Sequence, residues 1–184
     1  YWYLHTMPAG TYAIDSADMA GWTPTNWRLS SMPAGTYNID SADMALWTPG
    51  YWYLFSMPAG TYAVNFADLA GWNPIILYAH TLTAPTITIA AANLANWKAA
   101  TVFRVEDNGL LQAQVDGVLE GLYGAFPTRT GVNGTINVGG TNAAPSGVHQ
   151  AQCPPVDGKE YAYELKNDSC GVSPNHWATV TFSP

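Results

Sequence analysis

Residues 1–25 read YWYLHTMPAGTYAIDSADMAGWTPT, and residues 26–50 repeat this unit as NWRLSSMPAGTYNIDSADMALWTPG. Two more copies follow: YWYLFSMPAGTYAVNFADLAGWNPI at 51–75 and the more divergent ILYAHTLTAPTITIAAANLANWKAA at 76–100. A fixed period of roughly 20 to 50 residues is the signature of repeat architectures, in which each unit buries its apolar face against its neighbours. The four 25-residue units therefore decide the fold.

Each unit contains a short strand signal. Tyr12 and Ile14 stand two positions apart after a Thr, and equivalent pairs recur in the later units. This alternation predicts a very short strand with one face buried. The Pro8-Ala-Gly10 segment predicts a turn into the strand, and Pro24 ends a short helical turn that precedes it.

The spacing apolar-x-apolar-x-x-small-x-apolar within the unit resembles the leucine-rich-repeat consensus, with Ala17 where that family usually has a ladder Asn. The resemblance implies a repeat solenoid of short parallel β-strands, turns and short helices. Without the Asn ladder, other groups must satisfy the backbone of the turn. The aspartates of the repeat are the candidates: Asp15, Asp18, Asp40, Asp43 and Asp68.

The period fades after residue 100, which predicts four solenoid repeats over 1–100 and degenerate last coils with an α/β C-terminal cap over 101–184. Apolar residues at helical spacing from Leu111 to Leu122 predict an amphipathic helix, with Asp107 or Asn108 as its N-cap. The later segments predict, in order, a strand at Ile136 and Val138, a helix over Lys159–Asn167 and a strand over Trp177–Phe182.

Cys153 and Cys170 are the two cysteines of the chain and bracket the second predicted helix. Their spacing suits a loop-closing disulfide, which would indicate an oxidising compartment. The alternative is two buried free thiols. Zinc is less favoured, because His149 and His176 do not complete a zinc-ligand spacing with the cysteines.

Five motifs together resemble leucine-rich-repeat-like domains of phage and prophage surface proteins. They are MPAGTYxIDSADMAxWTP, LLQAQVDGVLEGLY, GTINVGGTNAAPSG, GKEYAYELKNDSCGV and HWATVTF, which cover nearly the whole chain. The resemblance implies a binding or structural module displayed on a virion or cell surface, and it implies no catalytic residue.

The charge of the chain limits its partners. The net charge is −7 with 6 Lys and Arg residues, and these are scattered, so no basic stripe exists to follow a nucleic-acid backbone. The longest apolar run is too short to insert into a membrane. These properties predict neither nucleic-acid binding nor membrane insertion.

The aspartate columns allow three interpretations. We expect them to cap short helical turns by accepting backbone N–H bonds, with no cofactor bound. Alternatively, Asp18, Asp43 and Asp68 lie in one column and could bind Ca²⁺. A polysaccharide depolymerase would use a carboxylate pair, but a catalytic pair is a single special site rather than an element copied with each repeat. No enzyme is predicted.

Two aromatic columns run through the units. The column formed by Trp22, Trp47, Trp72 and Trp97 follows an apolar residue and is predicted to lie in the core. The tyrosines beside Trp2 and Trp52 must point the other way by alternation, and with Arg28 they form a candidate surface for a glycan or a protein. This predicted ligand-binding set is Tyr1, Tyr3, Arg28, Tyr51 and Tyr53.

The preferred function is therefore a non-enzymatic adhesion or binding module that recognises a cell-surface glycan or protein through a repeated face. The first alternative is a structural subunit of an extracellular fibre or virion filament, and the second is a polysaccharide depolymerase. Both leading hypotheses place the protein outside the cell or on a virion. Because a stack of units that starts at residue 1 has an unpaired strand edge there, we also expect further chain or self-association to cover the first edge.

Overall fold

A computed structural model describes residues 1–83, 85–173 and 175–184. In these ranges the chain forms two α-helices, α1 (Gln112–Ala125) and α2 (Gly158–Asn167), and four 3₁₀ helices over Ser16–Met19, Ser41–Met44, Ala91–Leu94 and Phe126–Thr128. It also forms eleven strands: β1 (Trp2–His5), β2 (Ala13–Asp15), β3 (Asn26–Ser30), β4 (Thr36–Asp40), β5 (Tyr51–Met57), β6 (Thr61–Asn65), β7 (Ile76–Leu82), β8 (Thr86–Thr88), β9 (Val102–Arg104), β10 (Thr135–Asn137) and β11 (Thr179–Thr181).

The strands form two parallel sheets. The larger sheet has seven strands in the order β1-β3-β5-β7-β9-β10-β11, and the smaller has four in the order β2-β4-β6-β8. In the larger sheet Trp2 pairs with Trp27 and Trp27 pairs with Trp52, so equivalent residues of successive units are neighbours. In the smaller sheet Ile14 pairs with Tyr37, so that equivalent residues are offset by two positions.

The predicted leucine-rich-repeat-like solenoid is wrong: the structure is an α/β fold with a seven-stranded and a four-stranded parallel sheet and few helices. The prediction allowed one strand in each unit, at Tyr12 and Ile14. The structure adds a second strand from the Tyr-Trp-Tyr-Leu segment, and this strand builds the larger sheet. The core is consequently enclosed by two sheets.

Alternate residues of both sheets enter this core. Trp27 and Leu29 of β3 are fully buried, as are Tyr37 and Ile39 of β4. Three members of the predicted core column, Trp47, Trp72 and Trp97, are also buried, which confirms their placement, whereas Trp22 at the first edge is 43% exposed. Stacked indoles join the units, with Trp2, Trp27 and Trp52 at centroid distances of 5.3 and 5.5 Å.

Buried serines connect the 3₁₀ helices of the first two units to the 3₁₀ helix or turn of the next unit. Ser41 Oγ donates to Asp68 Oδ2 at 2.8 Å and accepts from the backbone N–H of Asn65 at 2.8 Å. Ser16 makes the same two contacts one unit earlier, with Asp43 and the backbone of Asp40. These contacts satisfy a carboxylate and a backbone N–H where one unit meets the next. A side-chain hydroxyl, which both donates and accepts, suits this bridging role.

The C-terminal elements close the far side of the core. α1 packs on the 3₁₀ helix Ala91–Leu94 and on α2, and α2 packs on β11. The predicted N-cap of α1 is wrong: the helix begins after Leu111, whose N–H donates to the side chain of Gln114. Asp107 instead accepts from the N–H of Thr141, and Asn108 donates to the carbonyls of Ala79 and Val105.

The structure confirms the disulfide between Cys153 and Cys170, whose Cα atoms are 5.5 Å apart. It joins the segment before α2 to the residues that follow the helix. Free thiols are therefore excluded at both positions. Within the ranges described above, no helix has the length and apolar character needed to cross a bilayer.

Candidate functional site

The outward side of the larger sheet carries an unusual set of side chains. Because side chains alternate along a strand, burying the Trp and Leu positions turns the intervening residues outward. We call the resulting surface the aromatic face; it consists of Tyr3, Arg28, Tyr53, Phe55, Tyr78, His80, Arg104 and Glu106.

The register of the sheet aligns five of these residues in one row. Tyr3 pairs with Arg28, Arg28 with Tyr53, Tyr53 with Tyr78 and Tyr78 with Arg104. Neighbouring strands lie ~4.8 Å apart, so the row crosses five strands with one ring or guanidinium on each. The sequence thus produces a straight ladder of flat side chains.

The rings of the aromatic face contact one another. Tyr53 and Tyr78 meet edge to face at a centroid distance of 5.1 Å, and Phe55 lies 5.6 Å from Tyr78. Phe55 stacks on His80 at 5.0 Å with nearly parallel planes. Aromatic pairs at these distances are favourable beyond their buried area, so the rings support each other in fixed orientations.

Arg28 is the second residue of the ladder, between Tyr3 and Tyr53. Its Nε donates to the hydroxyl of Ser30 at 2.9 Å, and its guanidinium carbon is 5.8 Å from the Tyr53 ring and 5.3 Å from the Phe55 ring. Both distances are within the range of cation–π attraction. The guanidinium is therefore held against the rings of the next strand.

A charged cluster occupies the other end of the aromatic face. Arg104 forms an ion pair with the buried carboxylate of Glu106, and Glu106 Oε1 lies 3.6 Å from Nδ1 of His80. The guanidinium of Arg104 is also 5.2 Å from the Tyr78 ring. In contrast with Arg28, this cation already has an anionic partner inside the protein.

Burial adjusts the titration of the face. It lowers the pKa of His80, against the opposing charge of Glu106, so the imidazole is neutral at pH 7. Burial, together with neighbouring tyrosines, raises the pKa of Tyr53. The Tyr53 hydroxyl therefore remains a neutral hydrogen-bond donor and acceptor over the physiological pH range.

The five predicted ligand-binding residues do not all lie in the ladder. Tyr3, Arg28 and Tyr53 lie in the ladder, and Tyr51 lies one row away, opposite Asn26. Tyr1 stacks on Tyr3 at 6.2 Å and is 86% exposed. It also lines a cleft of about 450 Å³ at the first edge of the sheets, with Trp2, Gly21, Trp22, Thr23 and Pro24.

Five members of the aromatic face were not predicted from the sequence: Phe55, Tyr78, His80, Arg104 and Glu106. Tyr78 could have been found, because it occupies the position of Tyr3, Arg28 and Tyr53 in the divergent fourth unit. His80 is 7% exposed. The ring of His80 stacks on Phe55 of β5, and Nδ1 of His80 lies 3.6 Å from Glu106 in the turn that follows β9.

The outward side of the smaller sheet differs sharply in composition. Its exposed or partly exposed positions hold small and polar residues instead of rings. They are Thr36, Asn38 and Asp40 on β4, Thr61, Ala63 and Asn65 on β6, and Thr86 and Thr88 on β8. Of the outward surfaces of the two sheets, the larger sheet's carries large aromatic side chains, whereas these positions of the smaller sheet carry none.

The aspartates of the repeat serve in hydrogen bonds. Asp15 and Asp40 accept from the N–H groups of Ala17 and Ala42 and cap the 3₁₀ helices, as predicted. Asp43 and Asp68, two of the calcium candidates, accept from the buried serines of the preceding unit. The third, Asp18, is exposed in the first turn of its helix.

In the described part of the chain, one group of three metal-ligand types is close together: Cys153, Glu164 and Cys170. The two sulfurs are joined in the disulfide and offer no thiolate to a metal. Glu164 accepts from the backbone N–H of Cys170 at 2.9 Å and from the hydroxyl of Ser169. This group therefore stabilises the end of α2.

No family model matches the chain, and neither the curated proteins nor the solved structures contain a match.

Proposed function

We propose that this protein is a non-enzymatic recognition module that binds an extended glycan along the aromatic face. The observation that carries the proposal is the ladder of Tyr3, Arg28, Tyr53, Tyr78 and Arg104, which crosses five parallel strands in register. Rings and guanidinium groups in such a row offer apolar faces together with polar tips. A sugar ring presents the complementary combination of apolar C–H faces and hydroxyl edges.

The rigidity of the face supports this proposal. Tyrosine provides a large amphipathic contact area with few rotatable bonds, so little conformational entropy is lost on binding. Here the rings are further fixed by contacts with Phe55 and His80. A preorganised surface of this kind binds with a smaller entropic cost than a flexible one.

The location of the face also supports binding. In the described residues, α1 and α2 pack on each other, α1 packs on the 3₁₀ helix Ala91–Leu94, and α2 packs on β11. The helices are therefore packed elsewhere than on β1, β3, β5 and β7, which carry most of the aromatic face. Tyr3 is 48% exposed, and Tyr53, Phe55 and Tyr78 are partly exposed. Because repeated strands present equivalent groups, a polymer can contact several of them at once, and such multivalent contact strengthens binding.

We assign no catalytic step to the protein. Asp15, Asp40, Asp43 and Asp68 accept structural hydrogen bonds, and Glu106 is paired with Arg104. We further propose that the protein functions outside the cell or on a virion. The Cys153–Cys170 disulfide favours an oxidising compartment.

The test is binding to a panel of immobilised neutral and acidic glycans. We expect wild-type protein to bind at least one class, and Tyr53→Ala/Tyr78→Ala to weaken that binding about tenfold or more, because aromatic residues dominate binding hot spots. The single variant Tyr3→Ala, at an exposed strand end, tests the same face with less risk to folding.

Thr61→Ala/Thr86→Ala on the smaller sheet is the matched control and should bind like wild type. Circular dichroism and urea unfolding establish that each variant is folded before its binding is compared. The proposal fails if wild type binds no glycan, or if the control double variant loses as much binding as Tyr53→Ala/Tyr78→Ala.

A further inference from the structure

We infer that the aromatic face selects a glycan that carries anionic groups on its sugar rings, and that Arg28 recognises those groups. The inference rests on the proposed function and specifies the charge of its ligand. It begins with the position of Arg28, the second residue of the ladder, between Tyr3 and Tyr53. A ligand that lies along the ladder must pass over this guanidinium.

The charge of Arg28 is available to a ligand. In the described ranges, the ion pair of the face joins Glu106 to Arg104, and no ion pair involves Arg28. The hydrogen bond from Arg28 goes through Nε to Ser30 Oγ. The two terminal amino groups of the guanidinium thus remain for an incoming anion.

Arg104 provides the internal comparison. It occupies the same row and also lies over a tyrosine ring, but Glu106 neutralises its charge within the protein. A face evolved only to stack on neutral sugars has no need of an uncompensated guanidinium. The difference between the two arginines therefore places the anion preference at Arg28.

The distribution of acidic residues agrees with this placement. Arg28 is the one Lys or Arg among residues 1–97, whereas the same segment contains five aspartates. All five lie on the side of the smaller sheet or in the turns that follow it: Asp15, Asp18, Asp40, Asp43 and Asp68. Although the net charge of the chain is −7, Arg28 is therefore the one Asp, Glu, Lys or Arg side chain among the outward residues of β1, β3 and β5.

The guanidinium is also oriented for anion recognition. Its contacts with the Tyr53 and Phe55 rings and with Ser30 restrict its position. A restricted planar fork can donate two parallel hydrogen bonds to a carboxylate or sulfate, which a lysine ammonium cannot do. Charge-assisted bonds of this kind add selectivity to ring stacking.

The experiment compares four proteins on neutral, uronic-acid-containing, sialylated and sulfated glycans: wild type, Arg28→Gln, Arg28→Lys and the remote control Lys166→Gln. Removing a hydrogen bond to a charged group corresponds to about a 10- to 100-fold loss of affinity. We expect Arg28→Gln to lose this factor on acidic glycans in addition to any smaller loss that it shows on neutral glycans. The affinity of Arg28→Lys for acidic glycans should lie between those of wild type and Arg28→Gln. The affinities of Lys166→Gln should match those of wild type.

Two further measurements distinguish recognition of the ligand's charge from recognition of its shape. Methyl esterification of a bound uronic-acid glycan should weaken wild-type binding and leave Arg28→Gln unchanged, and high ionic strength should affect only wild type and Arg28→Lys. Equal wild-type affinity for neutral and acidic glycans overturns the inference but leaves the proposed function standing. The inference also fails if Arg28→Gln weakens both classes by one factor, and absence of all glycan binding defeats both proposals.

Discussion

Two glycines of α1 provide a sharp test of how this helix closes the core. A Cβ atom at Gly121 would lie 2.5 Å from the carbonyl oxygen of Ala91 and 3.0 Å from its Cα. A close carbon–oxygen contact needs ~3.3 Å, so Gly121→Ala must move α1 from the 3₁₀ helix by about 0.8 Å. Gly124, in the same helix, has open space around that position.

The expected magnitudes follow from these surroundings. Overpacking against rigid backbone destabilises a protein by about 3 kcal/mol at the upper end of the usual range. The higher helix propensity of Ala relative to Gly offsets about 1 kcal/mol of this loss. We therefore expect Gly121→Ala to lower the free energy of unfolding by about 2 kcal/mol. Gly124→Ala keeps only the propensity gain, reduced near the helix end, and should raise that free energy by about 0.5 kcal/mol.

Urea unfolding, followed by tryptophan fluorescence and by far-ultraviolet circular dichroism, measures both variants. The two signals report on the sheets and on the helices, respectively, and should give the same midpoint if the helix unfolds with the sheets. The reasoning is refuted if Gly121→Ala is as stable as wild type, or if both substitutions shift the midpoint in the same direction.

Three more predictions concern other parts of the fold. Ser41→Ala should lower the free energy of unfolding by about 2 kcal/mol, because it removes a hydrogen bond to the Asp68 carboxylate and the acceptor of the Asn65 backbone N–H. A double-mutant cycle with Asp68→Ala should show a coupling energy, and strictly additive effects of the two substitutions would contradict the contact. Cys153→Ser/Cys170→Ser should cost about 3 kcal/mol by the chain-entropy estimate for a loop of this length, so an unchanged urea midpoint would show that the bridge contributes nothing. Burial lowers the pKa of His80 below its unfolded value near 6.5, so the unfolded state binds the proton more tightly and the free energy of unfolding falls as the pH decreases below 6.5. His80→Phe should flatten this part of the plot of unfolding free energy against pH, and an identical slope in both proteins would refute the assignment.

Much of the framework could be predicted from the repeat. Trp47, Trp72 and Trp97 are buried as their period indicates, and the helix predicted over Lys159–Asn167 begins one residue earlier, at Gly158. The disulfide followed from the presence of two cysteines around that helix. These features depend on local spacing, which the sequence displays directly.

The larger sheet could not be predicted in the same way. In the segment Tyr51-Trp52-Tyr53-Leu54, both faces of the strand carry large side chains, so the usual alternation of apolar and polar residues is absent. Only the neighbouring units decide that the Trp and Leu positions enter the core. With that strand overlooked, the solenoid prediction placed one strand in each unit where the structure has two.

The candidate site was predicted in part for a related reason. Tyr3, Arg28 and Tyr53 occupy one repeat position and were recognised together. The burial of His80 and its stacking on Phe55 depend on side chains from adjacent strands of the folded sheet. Such contacts are set by the register between strands, which a single segment of sequence does not reveal.

Hydroxyl-radical footprinting of the protein with a glycan bound from the panel tests the central claim most directly. The account predicts that Tyr3, Tyr53 and Tyr78 are oxidised more slowly in the complex, while Tyr12 and Tyr163, on other surfaces, are oxidised at an unchanged rate. Protection of Tyr12 or Tyr163 with no change at the three ladder tyrosines would contradict it, because the ligand would then lie away from the aromatic face.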